Sequence, residues 1–136
     1  YTNTMEENTE GKKTIMLVDD DKFLLDMYSI KFGQSNFNVL ASLGSEDALK
    51  KLHEGAKPDL ILFDMAMPGI DGMEFLEMVQ KENLAPQALK IALSNQNEPS
   101  DMEKCKSLGC DDYFVKATMT PLELLNKVDS IMKSRG

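Results

Sequence analysis

Apolar residues come along this chain in short bursts with two different spacings. Thr14-Ile15-Met16-Leu17-Val18, Leu60-Ile61-Leu62-Phe63, Leu89-Lys90-Ile91-Ala92-Leu93 and Tyr113-Phe114-Val115 are nearly continuous apolar runs, as expected of strands buried on both faces. Phe37, Val39, Ala41 and Leu43 alternate with polar residues and predict one more strand. The segments between them carry helical spacing. Leu24, Met27, Tyr28 and Phe32 predict a first helix from about Lys22 to Gln34. Ser45 as N-cap, with Glu46 and Asp47 in the first turn, predicts a second, stopping near Gly55 and Pro58. Asp71-Gly72-Met73-Glu74 has the form of a capping box opening a third helix that buries Phe75, Leu76 and Val79. Ser100-Asp101-Met102-Glu103 is a second such box, opening a helix that ends at Gly109. Thr120-Pro121-Leu122-Glu123 joins a cap, a first-position proline and a glutamate, ahead of Leu124, Val128 and Ile131. Five strands alternating with five helices predict a parallel sheet covered on both faces.

Composition narrows this picture. With 136 residues, 42% hydrophobic and 28% charged, the chain reads as one soluble domain with a real core. Fifteen basic against 23 acidic residues give a net charge of -8, which argues against direct nucleic-acid binding. No apolar run is long enough to span a membrane and no signal peptide is visible, so a cytoplasmic protein is expected. Residues 1–12 are polar and without periodicity; they read as a disordered leader or a remnant, with the domain running over 13–134. Cys105 and Cys110 match neither a zinc site nor a C-x-x-C pair and read as reduced thiols. His53, the one histidine, reads as a solvated surface residue. The ten methionines read mostly as core filler, with Met65 and Met67 lining the loop after Asp64.

The strand ends carry the candidate chemistry. The first run leads into Asp19-Asp20-Asp21, the second into Asp64, the third into Ser94 and the last into Lys116. In an open parallel sheet these C-terminal ends form the edge where ligands bind. Several acids, a hydroxyl and an ammonium suit a divalent cation and a phosphoryl group.

Four motifs then carry a resemblance. Val18-Asp19-Asp20-Asp21, Asp64-Met65-Ala66-Met67-Pro68-Gly69-Ile70-Asp71-Gly72, Ala92-Leu93-Ser94 and Gly109-Cys110-Asp111-Asp112-Tyr113-Phe114-Val115-Lys116 resemble the receiver domain of two-component response regulators, over about Lys13 to Lys133. The resemblance implies an α/β, flavodoxin-like, doubly wound (βα)5 fold with a five-stranded parallel sheet in the order 2-1-3-4-5. It makes Asp64 the phosphoacceptor. It assigns Asp19, Asp20, Asp64 and the backbone oxygen of Ala66 to a Mg2+ site that Mn2+ could also fill, and reads Asp21 as a helix N-terminal residue. Lys116 and Ser94 would contact the phosphoryl oxygens, and Ser94 with Tyr113 would form the switch.

The function implied is a phosphorylation-activated signalling switch rather than an enzyme. Its donor would be a histidine kinase or histidine phosphotransfer protein. Its readers, a downstream effector, an output domain or a second copy of the chain in a phosphorylation-dependent homodimer, would meet the fourth helix, fifth strand and fifth helix. Two rivals are weaker. A haloacid-dehalogenase-type phosphatase needs a second acid two residues after the nucleophile, where this chain has Ala66. A phosphorylation-independent adaptor, or pseudo-receiver, does not need Asp20, Asp64 and Lys116 intact. Three positions depart from the family pattern: Ala117 replaces the usual proline, Asn95 a small residue, and Cys110 an alanine. Ala117 predicts a trans Lys116–Ala117 bond and a looser loop, because a cis bond before a non-proline residue costs about 2.5–4 kcal/mol. Asn95 predicts a narrowed approach to Asp64.

Overall fold

A computed structural model describes residues 11–95 and 98–135. Strands and helices alternate from β1 (Lys13–Asp19) and α1 (Lys22–Gln34) through β2 (Phe37–Leu43), α2 (Ser45–His53) and β3 (Leu60–Asp64). They continue through α3 (Gly72–Lys81), β4 (Leu89–Ser94), α4 (Pro99–Ser107), β5 (Asp112–Val115), a 3-10 turn at Lys116–Thr118, and α5 (Pro121–Arg135). The five strands form one sheet in the order β2-β1-β3-β4-β5, with every pairing parallel. The leader expected over residues 1–12 lies outside the described residues, apart from Gly11 and Lys12.

Side-chain alternation along the strands divides the core in two. Met16, Val18, Ile61, Phe63 and Ala92 point to one face, where Leu49 and Leu52 of α2, Phe75, Leu76 and Val79 of α3 and Cys105 of α4 cover them. Ile15, Leu17, Leu60, Leu62, Ile91 and Leu93 point to the other face, against Leu25, Tyr28 and Phe32 of α1 and Leu124, Leu125 and Val128 of α5. All five residues of β3 are buried, so the central strand has no solvent face and its apolar run follows from its place in the sheet.

Several local expectations hold. α1 has the predicted limits, with Asp21 as its cap accepting from Phe23 N and Leu24 N. Asp71 and Glu74 form the reciprocal capping box, and Thr120 with Glu123 does the same at α5. Three expectations need correction. Ser45 is not the cap of α2. Gly44 is, at a φ of 93° that favours glycine, with its N–H on Asp19 O at 3.0 Å, and Ser45 turns into the core toward Met67 Sδ. Ser100 does not open α4: Pro99 takes the first turn behind Glu98, with no side-chain cap bond. Finally, the alternation of β2 fails beyond Val39. Ser42 is fully buried and Leu43 is 52% exposed, and Lys51 of α2 reaches this edge strand at Ala41 O and Ser42 Oγ.

Candidate functional site

Parallel register assembles the site. Val18 pairs with Phe63, so Asp19 and Asp64 leave adjacent strands side by side. Asp64 is opposite Leu93, and Ser94 is opposite Val115, the residue before Lys116. Asp19, Asp64 and Ser94 are all buried. Within the acidic turn the three carboxylates diverge. Asp19 points inward and accepts from Asp21 N at 2.9 Å, Asp20 is exposed at the rim, and Asp21 caps α1.

Lys116 spans the buried acids. Its Nζ donates to Asp19 Oδ2 at 3.1 Å and lies 3.2 Å from Asp64 Oδ1. The contact with Asp64 is a charge contact rather than a directed hydrogen bond. Among the described residues, Asp64 Oδ1 is the buried side-chain polar atom left without a hydrogen-bond partner. Burial pushes the Asp64 carboxyl up to about 6, against the pull of Lys116 and with the Asp19 charge adding to the rise. Burial alone would lower Lys116, but the Asp64 and Asp19 charges outweigh it and its value is raised. One ammonium therefore faces an excess of negative charge.

That excess fits a cation. Asp19, Asp20 and Asp64 each offer a carboxylate oxygen, and these oxygens lie within 4.8 Å of one another. An all-oxygen donor set with an unpartnered buried carboxylate oxygen suits a hard divalent ion such as Mg2+. Ala66 lies two residues past Asp64 in the exposed part of the β3–α3 loop.

The loop is shaped by a close approach that its sequence does not announce. Gly72 N donates to Met65 O at 3.0 Å, and Met65 N to Leu93 O at 2.8 Å. A Cβ at position 72 would lie 2.5 Å from Asp64 O and 2.6 Å from Met65 Cα. Only glycine lets the start of α3 rest on the backbone behind Asp64. In the sequence Gly72 reads simply as part of a capping box. Tyr28 is a second residue whose place was not legible. It follows helical spacing like any core residue, yet its phenol senses Lys116, Asp19 and Asp64, while burial raises its pKa.

The remaining candidates are near the acids without joining them. The Ser94 hydroxyl shares a hydrogen bond with the Tyr113 phenol, which burial raises and that bond lowers. Asn95 is exposed directly after Ser94. No described peptide bond is cis, so Lys116–Ala117 is trans as expected. The segment after it is a 3-10 turn, in which Met119 N donates to Lys116 O and Thr118 Oγ1 to Val115 O. His53 is half-exposed, but its Nε2 pairs with Glu82 Oε1 at 2.6 Å.

A parallel sheet in this order, with acids and a lysine gathered at one edge, is the doubly wound (βα)5 architecture. The chain belongs to the response regulator receiver domain family, whose description matches residues 15–129. It is 31% identical to the alkaline phosphatase synthesis transcriptional regulatory protein PhoP of Bacillus subtilis, over 89% of this chain and 49% of that one. It is 26% identical to the phosphate regulon transcriptional regulatory protein PhoB of Escherichia coli, over 89% of this chain and 52% of the other. The chain thus spans about half the length of these curated relatives. Among solved structures, a CheY-like receiver domain protein from Methanospirillum hungatei superposes with a TM-score of 0.81 at 27% identity, covering 91% of this chain and 96% of that one. The Francisella response regulator 1452 receiver domain gives 0.80 at 25% identity, over 92% and 100%. No helix among the described residues is long and apolar enough to cross a membrane.

Proposed function

We propose that this domain is a phosphorylation-activated switch whose acceptor is Asp64 and whose donor is a phosphohistidine on a histidine kinase or phosphotransfer protein. The observation that carries this reading is Lys116 held between buried Asp19 and Asp64, with Asp20 within ligand distance of both acids. An Asp64 oxygen attacks phosphorus, the P–N bond to the donor imidazole breaks, and an acyl phosphate forms. Asp19, Asp20, Asp64 and the Ala66 carbonyl would hold Mg2+ or Mn2+. When bound, the ion offsets repulsion among the acids and against the incoming phosphoryl oxygens. Lys116 moves its charge from Asp64 to those oxygens, and the Ser94 hydroxyl donates to one of them.

Drawing Ser94 toward the phosphoryl group breaks its bond with Tyr113, which couples the site to β5. The face of α4, β5 and α5 then shifts between two populations. That face would be read by an effector, an attached output domain or a second copy of the chain. Direct nucleic-acid contact by this domain is disfavoured by its net charge of -8. The family placement supports a cytoplasmic setting and a signalling rather than metabolic role. Position 66 is alanine, so the acid that a haloacid-dehalogenase-type phosphatase would use is missing.

Two measurements test the reading. Titrating Mg2+ should move the amide resonances of Asp20, Asp64 and Ala66; none moving at millimolar metal would sink the metal site. Asp64→Asn should abolish phosphoryl uptake from a phosphohistidine donor, read by intact-protein mass spectrometry, while the domain stays folded. Undiminished acyl-phosphate labelling of that variant would place the acceptor elsewhere.

A further inference from the structure

Two thiols meet where α4 ends. The helix closes in a Schellman turn: Gly109, at a φ of 95°, donates to Lys106 O at 3.0 Å, and Cys110 N donates to Cys105 O at 3.0 Å. In this motif the residue two past the cap packs on the third-last helical residue. Those residues are Cys110 and Cys105. Standard bond lengths and the 3.0 Å contact keep their Cα atoms within about 7 Å, and disulfides form at roughly 4.4–6.8 Å. Both sulfurs belong to one buried cluster, and Cys110 Sγ donates to Asp112 O at 2.7 Å and to Lys90 O at 3.5 Å.

We propose that Cys105 and Cys110 are an oxidisable pair, closed to an intramolecular disulfide by a peroxide, that clamps the end of α4 to the start of β5. Cys105 is fully buried and Cys110 is 9% exposed, so a small oxidant meets Cys110 first. The neighbouring Cys105 thiol, with the backbone at Ala92 and Asp112, outweighs burial and holds the Cys110 thiol below its ordinary value. The Cys110 side chain, and then burial, push Cys105 up. Cys110, the more exposed of the two, is therefore the sulfur oxidised first. Its sulfur attacks one oxygen of hydrogen peroxide, the O–O bond breaks, and the departing hydroxide takes the thiol proton as water. The Cys110 sulfenic acid that results is attacked by Cys105 sulfur. The S–O bond breaks and a second water leaves with the Cys105 proton. One peroxide and two thiols become one disulfide and two waters.

The clamp sits on a joint already tied by several elements. Gln80 Nε2 of α3 donates to Leu108 O at 3.0 Å. Asp111 N donates to Lys90 O at 2.7 Å, and Lys90 N to Asp111 Oδ2 at 2.8 Å. Tyr113 packs against the same cluster as both sulfurs. A covalent link there restrains β5 whether or not Asp64 is phosphorylated, so it is separable from the proposed phosphoryl chemistry.

The folded full chain is treated with hydrogen peroxide, alkylated under denaturing conditions and digested. A Cys105–Cys110 linked peptide, two hydrogens lighter than the dithiol and restored by reductant, is the expected product. Amide exchange at Gly109, Cys110 and Asp111 should slow at least tenfold in the oxidised protein. Cys105→Ala and Cys110→Ala should each abolish the product; if either fails to fold, the wild-type result alone decides. Fully alkylated thiols after treatment, a disulfide between two chains, or the internal disulfide with unchanged exchange would each overturn the proposal.

Discussion

The two edges of the sheet use carboxylates in opposite ways. At the edge where strands begin, Asp59 Oδ2 accepts from Thr14 N at 2.8 Å and Asp111 Oδ2 from Lys90 N at 2.8 Å. Each acid satisfies a strand N–H that the ladder leaves over. Lys90, though 4% exposed, has its ammonium on Ala85 O at 2.9 Å. At the other edge, Asp19 and Asp64 share one ammonium, and an Asp64 oxygen has no hydrogen bond. A cleft of about 760 Å³ nevertheless lies at the first edge, among Lys57, Pro58, Asn83 and Pro86. Volume therefore does not mark out the proposed site. Unbalanced buried charge does, because it is the arrangement folding alone would not favour.

Substitutions can break this contrast, starting with the one of largest effect. Gly72→Ala forces a Cβ into the backbone behind Asp64 and should cost about 2–3 kcal/mol in denaturant unfolding; an unchanged midpoint would show that α3 simply shifts aside. Asp111→Ala strands Lys90 N without its partner and should cost about 1–2 kcal/mol.

The same experiment on Asp64 should give the opposite sign. Its carboxyl, raised to about 6, binds its proton more tightly in the folded chain than in the unfolded one. Stability from this group is therefore complete below the unfolded value and is lost as pH rises through about 6. Asp64→Asn should stabilise the metal-free domain by about 1–2 kcal/mol at pH 7 and by little at pH 4. Part of the gain is given up because Lys116 loses a partner. Equal unfolding midpoints at pH 7 would contradict the excess of buried negative charge at this edge. Saturating Mg2+ should stabilise wild type more than the variant. The smallest effect concerns Asn95. Asn95→Ala should speed labelling by acetyl phosphate a few-fold without moving stability, since in-line approach rather than folding is at stake. Equal single-turnover rates would remove the obstruction.

Legibility followed the same division. α1 was readable to its ends, because a capping acid and a 3.6-residue stripe mark it locally, and so was the Thr120 box. Asp19, Asp64 and Lys116 were readable as strand-end groups, since topology alone brings such ends together. Interactions set by distant backbone were not. Ser45 looked like a cap, and only the tie from Gly44 to Asp19 O explains why it is not. Gly72 carries no sign that Asp64 O lies behind it. Asp59 and Asp111 look like surface acids until their partner strands are placed. The cysteines fit no metal spacing, and their meeting needed the Schellman turn.

The bond between Lys116 and Asp19 spans 97 positions. As the chain leaves a ribosome, β1 and β3 are complete well before β5 emerges. During that interval Asp19 and Asp64 stand together without their ammonium, and their mutual repulsion opposes docking of the two strand ends. Translation of β5 and the lysine that follows it supplies the charge that settles them. The acidic pocket is therefore completed only when β5 is in place, and a nascent chain that stops short of it would hold the three acids without the lysine that balances them.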